Sequence, residues 1–511
     1  MEKHTSPATD FCFANPTGLD RADSIGELVV FAGRNVEELK GAMRRVLHSE
    51  EICFPSGVKW ISFHSQQKFN SAQSNRRYRA AVVTYGVLEL KRQLPQLIKL
   101  IEANPREPFS HDAAGLYYGF GAPEGKMAFL FPGQGAQYVR MGAQLRAIYP
   151  QAQAVWEHLG SFAFNGKTLN EVVFPAKAHD QKEAAVQNDY LSYSGWAMPA
   201  INLMSESIRA LLDSMSVRPD AVAAHSAGDA AAFKAAGIIS SEQMIRFAGF
   251  RGVAAAACPM ASKGGILMVF SEPRAIRAQL KAHAIQQVWI ANYNSPAVTV
   301  LSGLRENLTA TKQVLAKASI KSKLIPISGA PHCPLALHAS NHFMHYIADE
   351  PFNRSDCDLY SYLFGDKLAN DPALYKKVLS VTCLKPVRFV AQIEKMHAEG
   401  VRTFVEIGPS DGLTMFVRRI LDGKPYKAIS TNRQNGDANY HFLSAVAELI
   451  RLGRVENTSV LWDLYKAPAR PARISEADPP RMPDDIVAKE LERLRVLDLQ
   501  LSRIDKMAGA C

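Results

Sequence analysis

The sequence predicts an α/β protein with three parts: a large unit with a buried parallel sheet, a small βαββαβ unit inserted into it, and a further small α/β unit ahead of both. Two apolar runs, Lys126-Met-Ala-Phe-Leu-Phe131 and Ala221-Val-Ala-Ala224, have the composition of parallel strands covered on both faces. From Gly265 to Ile327 the pattern reads strand, helix, strand, strand, helix, strand, which is the ferredoxin-like order. The 511 residues are 47% hydrophobic and 21% charged, an ordinary balance for a soluble globular protein that excludes disorder over most of the length.

Residues 1–25 are polar and turn-rich and read as a loose leader. Over 26–122, Leu28–Phe31 and Tyr78–Val83 are short strands. Asn35–His48 is a helix with Leu39, Met43 and Leu47 on one face, and a long amphipathic helix runs to Ile101. Phe63-His64-Ser65 is placed in a strand or turn and is discounted as a site because no sharp elbow surrounds it. The large unit covers 123–263 and 329–465, opening on the Lys126–Phe131 strand, continuing through helices to Met215, and closing on a last strand, Thr403–Ile407. The inserted unit, 264–328, has strands at Ile266–Phe270, Val288–Asn292, Val298–Leu301 and Leu324–Ile327, with helices at Pro273–His283 and Arg305–Ala318. Residues 466–511 are a proline-rich, charged linker followed by a helix from about Asp484 to Lys506.

The seven cysteines are scattered, with no CxxC or zinc-finger spacing, so neither a disulfide framework nor a bound metal is expected. No apolar run approaches the ~20 residues of a membrane span, and the N-terminus lacks a signal-peptide pattern, so a cytoplasmic protein without a membrane or nucleic-acid partner is expected. The net charge of +10 is dispersed, thickening only over Lys59, Lys68, Arg76, Arg77, Arg79, Lys91, Arg92 and Lys99. Such a segment is either a solvated face or a docking face for an acidic partner.

Ala224-His225-Ser226-Ala227-Gly228 is a strand-to-helix turn with serine at its tip. A nucleophile elbow needs small neighbours because its serine is held in a strained conformation with the hydroxyl exposed. Here only the second glycine of the G-x-S-x-G pattern is present. A plain serine cap of the following helix fits the same residues. The base for Ser226 must come from fourteen histidines. His225 is adjacent but points away on a strand-turn, so it supports the elbow, whereas His332, in Gly329-Ala-Pro-His332, follows a strand and sits in a loop.

Several motifs occur together in one order. Phe129-Leu-Phe-Pro-Gly-Gln-Gly-Ala-Gln137 resembles the opening motif of malonyl-CoA:acyl-carrier-protein transacylases and polyketide-synthase acyltransferase domains. Ala224-His-Ser-Ala-Gly-Asp229 resembles that family's GHSxGE elbow, and Phe250-Arg-Gly252 falls where the family keeps a substrate-binding arginine. Asn292–Pro296 through Ser302-Gly303, the loop ending at His332, Pro386–Phe389 and Phe404–Pro409 match in turn, over about residues 124–465. Residues 26–122 resemble the linker between ketosynthase and acyltransferase in large synthases. Details at Gly115–Gly119 and Met198–Ala200 are most similar to enediyne or polyunsaturated-fatty-acid synthases.

The resemblance implies an α/β-hydrolase-like large subdomain carrying the ferredoxin-like insertion. It implies a ping-pong acyltransferase in which Ser226 attacks an acyl-CoA thioester and His332 takes the proton. The amides of Gln134 and Ala227 would form the oxyanion hole, and Arg251 would hold the malonyl carboxylate. The acyl group then passes to the phosphopantetheine thiol of an acidic acyl carrier protein acting in trans, with no bound cofactor or metal and with a ketosynthase as a possible further partner. His225, Met198 and Pro331 line the site, Met198 in place of the family's usual glutamine and Asp229 in place of its glutamate. An acyl hydrolase and a non-catalytic docking unit are the alternatives. Against the hydrolase stands the expectation that a neutral acyl group would leave the Arg251 guanidinium buried and unpaired.

Overall fold

The computed structural model describes residues 25–53, 57–258, 262–325, 327 and 329–461. Most of the expected leader and the whole 484–506 helix lie outside the described residues.

The N-terminal sheet comprises β1 (Glu27–Gly33), β2 (Tyr78–Thr84), β3 (Phe109–His111) and β4 (Leu116–Phe120), antiparallel in the order β1-β2-β4-β3. Asn35 caps helix Val36–Leu47 by accepting from the Glu38 N–H, as an extended asparagine before a helix does. Phe63-His64-Ser65 lies within helix Gly57–Ser71, not in a strand or turn. The helix escapes a periodicity search because part of its buried face is polar. It covers the open edge of β1, where Ser62 Oγ and Gln66 Nε2 donate to the Leu28 carbonyl and Ser65 Oγ accepts from Val30 N–H. An edge strand's unpaired backbone groups are satisfied there by side chains instead of by another strand.

The central sheet is built from β5 (Lys126–Phe131) and β8 (Ala221–Ala224), with the two-residue strands β6 (Ala163–Phe164) and β7 (Lys167–Thr168) forming a separate ribbon between them in sequence. The small sheet follows: β9 (Gly264–Val269), β10 (Val288–Ser295), β11 (Val298–Leu304) and β12 (Ser322–Ile325), antiparallel in the order β10-β11-β9-β12. β12 begins two residues earlier than its apolar positions suggest, because Leu324 and Ile325 pair opposite Leu267 and Ile266. The central sheet is completed by β13 (Asp358–Ser361), β14 (Asp366–Lys367), β15 (Val401–Glu406) and β16 (Lys427–Ser430), in the order β14-β13-β8-β5-β15-β16. All neighbours are parallel except β14 on β13. The strand at 403–407 is therefore not the last. β16 follows it at the edge, too short and too mixed in burial to announce itself as a covered strand.

Alternation along β5 explains why the sheet needs cover on both sides. Phe129 and Phe131 enter the core beneath helices Ser194–Ser214 and Ser241–Ala257, while Ala128 and Leu130 face Phe404, Leu413 and Phe389 on the other side. The N-terminal sheet shares the first of these cores, with Leu28, Val30, Ala81 and Val83 packing with Phe442 and Val446 of helix Ala438–Arg451. Arg79 is buried at this junction and donates to the carbonyls of Arg76, Gly121 and Arg451; Arg76 donates to those of Phe69, Asn70 and Glu456. These two arginines therefore leave the basic face read from the sequence, while Lys59, Lys68, Arg77, Lys91, Arg92 and Lys99 are exposed. Phe442→Ala is expected to cost about 3–5 kcal/mol, read as a lower denaturation midpoint with unchanged slope, because the cavity opens in the core that both units share.

Candidate active site

β8 ends at Ala224, paired with Phe131 of β5, and the His225 N–H continues the pairing by donating to the Phe131 carbonyl. The chain then turns so sharply that Ser226 sits at φ 51° before helix Asp229–Ala235 begins. Gly133 is required by the close approach of the neighbouring loop: a Cβ there would lie 2.5 Å from the His225 carbonyl oxygen and 3.0 Å from Ser226 Cβ. The methyl group of Ala224, where the elbow pattern has glycine, is absorbed in the buried strand.

Ser226 Oγ lies 2.7 Å from His332 Nε2. His332 Nδ1 lies 3.1 Å from the Thr382 carbonyl and 3.0 Å from that of Lys385. Carbonyl oxygens only accept, so Nδ1 carries the hydrogen and Nε2 presents its lone pair to the serine hydroxyl. Burial lowers the His332 pKa, with the charges of His225 and Arg251 adding to it and the two carbonyls opposing it, and it is pushed down to about 4. A neutral imidazole faces the Ser226 hydroxyl at pH 7. Neither helical segment after the turn has a side-chain capping bond, and the Ser226 oxygen is paired with His332 Nε2 instead.

The His225 ring turns the other way. Its Nε2 donates to Asn294 Oδ1 at 2.7 Å on β10, and the ring packs edge-on to Phe389. Among the described residues, the amides of Gln134 and Ala227 have no protein acceptor, which leaves both N–H groups available to an oxyanion. The Gln134 side chain is anchored away from them, on the Ser192 carbonyl and Ser194 Oγ. Asn202 ties the elbow from below, donating to the Ala227 carbonyl and accepting from Ala231 N–H. The Ser226–His332 pair opens on a narrow cleft lined on its apolar side by Met198, Ala255, Leu335 and Ala336, with Pro331 at the His332 loop.

Arg251 also reaches this cleft, but not as a free receptor. Its Nη1 and Nη2 donate to the two oxygens of Asp229 at 2.7 and 2.6 Å, and both side chains are buried. Thr382 Oγ1 and Tyr362 Oη add hydrogen bonds to the same Asp229 oxygen at 3.1 and 3.2 Å. Burial would lower the Arg251 pKa; the Asp229 charge and its hydrogen bonds outweigh burial and raise it. The expectation of an unpaired guanidinium is corrected: Asp229, three residues past the nucleophile, fills the fork. A second carboxylate at another edge of the guanidinium would meet attraction from Arg251 and repulsion from Asp229. At an effective dielectric of ~20 the attraction at ~4 Å is about 4 kcal/mol and the repulsion from Asp229, across the guanidinium at ~8 Å, about 2 kcal/mol, so the pairing weakens the pull on an anion without cancelling it.

Thr382, Tyr362, Asn294 and Asn202 were not identified from the sequence as part of this assembly. Thr382 and Lys385 hold the base through backbone carbonyls, which no residue type signals. Asp229 is different: a carboxylate at the end of the elbow motif was visible, and only its partner was not. Among the described residues no group of three or more His, Cys, Asp or Glu side chains could hold a metal ion, and no helix is long and apolar enough to cross a membrane.

The acyl transferase domain model matches residues 128–456. The chain belongs to the acyl transferase domain family. It is 27% identical over 300 residues to the malonyl CoA-acyl carrier protein transacylase of Bacillus subtilis, covering 58% of this chain and 90% of that protein. It is 26% identical over 362 residues to a polyunsaturated fatty acid synthase component of a Thraustochytrium species. That match takes in 68% of this chain but only 12% of the far longer synthase protein. Among solved structures, the acyltransferase domain from the second module of the salinomycin polyketide synthase superposes with a TM-score of 0.62 at 27% identity, covering 86% of this chain and 95% of that one. An acyltransferase domain from an iterative synthase of enediyne biosynthesis shares the fold, with a TM-score of 0.64 at 20% identity. The α/β architecture of the family's acyltransferase domains is therefore that of this chain.

The Ser226–His332 contact predicts a pH dependence. If Ser226 is acylated with His332 as base, the ring must be neutral, which it is above its folded pKa, so kcat/KM for acyl-enzyme formation should stay level as pH falls from 7 and decline only towards pH 4. A stopped-flow pH profile checks this, and an acid limb near the ordinary imidazole value of ~6.5 would contradict it.

Proposed function

We propose that this chain is a ping-pong acyltransferase that moves an acyl group from coenzyme A, through an ester on Ser226, to the phosphopantetheine thiol of an acyl carrier protein in fatty-acid or polyketide synthesis. The observation that carries the reading is the 2.7 Å contact between Ser226 Oγ and a neutral His332 Nε2 beside two unengaged amides. Ser226 attacks the thioester carbonyl as His332 Nε2 takes its proton. The Thr382 and Lys385 carbonyls then stabilise the imidazolium through Nδ1–H, and the amides of Gln134 and Ala227 hold the oxyanion. Collapse of the tetrahedral intermediate expels the CoA thiolate, which recovers the proton from His332. The carrier thiol repeats the steps in reverse, with no metal or bound cofactor required. The parallel sheet serves as the α/β-hydrolase-like body, and the four-stranded sheet as a ferredoxin-like subdomain buttressing His225 through Asn294.

Malonyl is the acyl group named for the Bacillus subtilis relative. In this chain a malonyl carboxylate would have to share Arg251 with Asp229. The same pairing gives an acyl hydrolase a footing as second reading, because a neutral acyl group no longer leaves the guanidinium unpaired. Use of a CoA thioester would place either reaction in the cytoplasm.

Intact mass after incubation with an acyl-CoA separates the readings. A stable adduct of acyl mass, absent in Ser226→Ala, is expected, while free acid released without an adduct would favour hydrolysis. His225→Ala should retain a measurable fraction of the adduct, since its ring faces Asn294 and not Ser226. Transfer to an acidic carrier should slow as salt rises, and again on charge reversal of Arg77, Lys91 and Arg92, while hydrolysis of the acyl-enzyme by water changes little. Carrier transfer indifferent to both would place recognition elsewhere.

A further inference from the structure

Helix Leu337–Tyr346 follows the His332 loop through the short turn Pro334–Ala336. Its inner face is fixed: Ala339, Ser340 and Phe343 are buried, and Ser340 Oγ donates to the Ser380 carbonyl at 2.7 Å. Ala336 and Ala339 line the cleft. The outer face carries His338, which is exposed, and His342, which is half-buried, one helical turn apart. Their ring centroids lie 4.4 Å apart and their Nε2 atoms 3.3 Å apart. Two imidazole nitrogens this close can share one hydrogen, or both can direct lone pairs at one cation.

The spacing suits the second arrangement. Zinc binds imidazole nitrogen at about 2.0–2.1 Å with tetrahedral angles, which sets two nitrogen ligands about 3.3–3.4 Å apart. Histidines at i and i+4 on one helix face are the ligand pair of helical zinc motifs. The residues between this pair, Ala339-Ser340-Asn341, include no carboxylate, so the pair lacks the glutamate that a hydrolytic zinc site uses as base. Nitrogen ligands select against Mg²⁺ and Ca²⁺, which prefer oxygen. Because the helix is anchored from behind, the two ligands are brought together by folding and not by the ion. Among the described residues no third His, Cys, Asp or Glu joins them.

We propose that His338 and His342 form a surface zinc site at the rim of the cleft: their Nε2 atoms chelate one Zn²⁺ ion, water completes its coordination, and neither Ser226 nor His332 takes part. The site does not depend on the reading of Ser226 as a nucleophile.

Two measurements on the full chain with Zn²⁺ test it. Diethyl pyrocarbonate labels accessible histidines, and peptide mass spectrometry reads each one separately. Zn²⁺ should slow labelling of His338 and His342 by about ten-fold or more, because the second bond of a chelate forms intramolecularly. His345, exposed on the same helix, should label at an unchanged rate, and Mg²⁺ should protect none of the three. In calorimetric titration, His338→Ala and His342→Ala should each lose one Zn²⁺ equivalent or weaken it by about ten-fold or more, while His345→Ala binds as the parent does. His338 is exposed, so His338→Ala decides should His342→Ala fail to fold. The proposal is overturned by labelling of the pair that is indifferent to Zn²⁺, by equal slowing at His345, by equal protection with Mg²⁺, or by parental Zn²⁺ binding in His338→Ala.

Discussion

The candidate site depends on two residues held in backbone conformations that side chains avoid. Ser226 at φ 51° and His332 at φ 61° both lie in the left-handed region, where a non-glycine residue costs about 1–3 kcal/mol. They come from segments 106 residues apart and must meet to within hydrogen-bonding distance. Neither conformation is stable by itself, so the surroundings over-determine each. At Ser226 the constraint is the β5–β8 pairing that extends to the His225 N–H, with a glycine opposite to allow the approach. At His332 it is the backbone N–H on the Cys383 carbonyl, with the ring locked by the two carbonyls either side of that residue. β10 of the small sheet bonds to Val387, just past that carbonyl loop, so the insertion braces the base and, through Asn294, the elbow as well.

Orienting the base with carbonyl dipoles instead of a carboxylate changes the charge balance of the site. A buried carboxylate on Nδ1 would favour the imidazolium and raise the pKa of His332; dipoles favour it less, and burial keeps the ring neutral. The carboxylate that is close by, Asp229, is directed at Arg251 instead. The two arrangements together leave the region around Ser226 without net charge. Under the proposed mechanism charge would arise only during reaction, as imidazolium and oxyanion beside groups already aimed at them. Removing either partner of the Asp229–Arg251 pair outright would leave the other buried without a counter-charge, at a cost of about 3–5 kcal/mol.

The N-terminal unit is not an appendage tied on by a linker. Its sheet shares a core with helix Ala438–Arg451, and its buried Arg79 closes on carbonyls from both sides of the junction. Gly119 of β4 approaches the Arg451 carbonyl so closely that a Cβ would lie 2.2 Å from it. This is tight, element-to-element packing of the kind found inside a domain. The family match, residues 128–456, stops short of this unit, yet the two share one packed core.

Local pattern was enough for the strands that are apolar on both faces and for the helices with a clean apolar stripe. Lys126–Phe131 and Ala221–Ala224 were legible because burial on both sides leaves a continuous hydrophobic run; the small neighbours of the serine at the tip of the second run made it a candidate but fitted a helix cap equally well. The helix at Gly57–Ser71 was hidden because it satisfies a strand edge with Ser62, Ser65 and Gln66, so its buried face looks polar. Edge strand β16 was hidden because only two of its residues are buried. His332 could be singled out among the histidines by its loop and by family resemblance, but its protonation was set by the carbonyls of Thr382 and Lys385, which reach it only through the fold. Arg251 shows the division most plainly. Its charge and its motif were determined by the sequence; whether that charge faces a substrate or an internal acid depends on which side chain lies within hydrogen-bonding distance of the fork. Helix Ser241–Ala257 crosses close enough to the elbow for Asp229 to take it, and a contact between separate elements is a property of packing that no local pattern encodes.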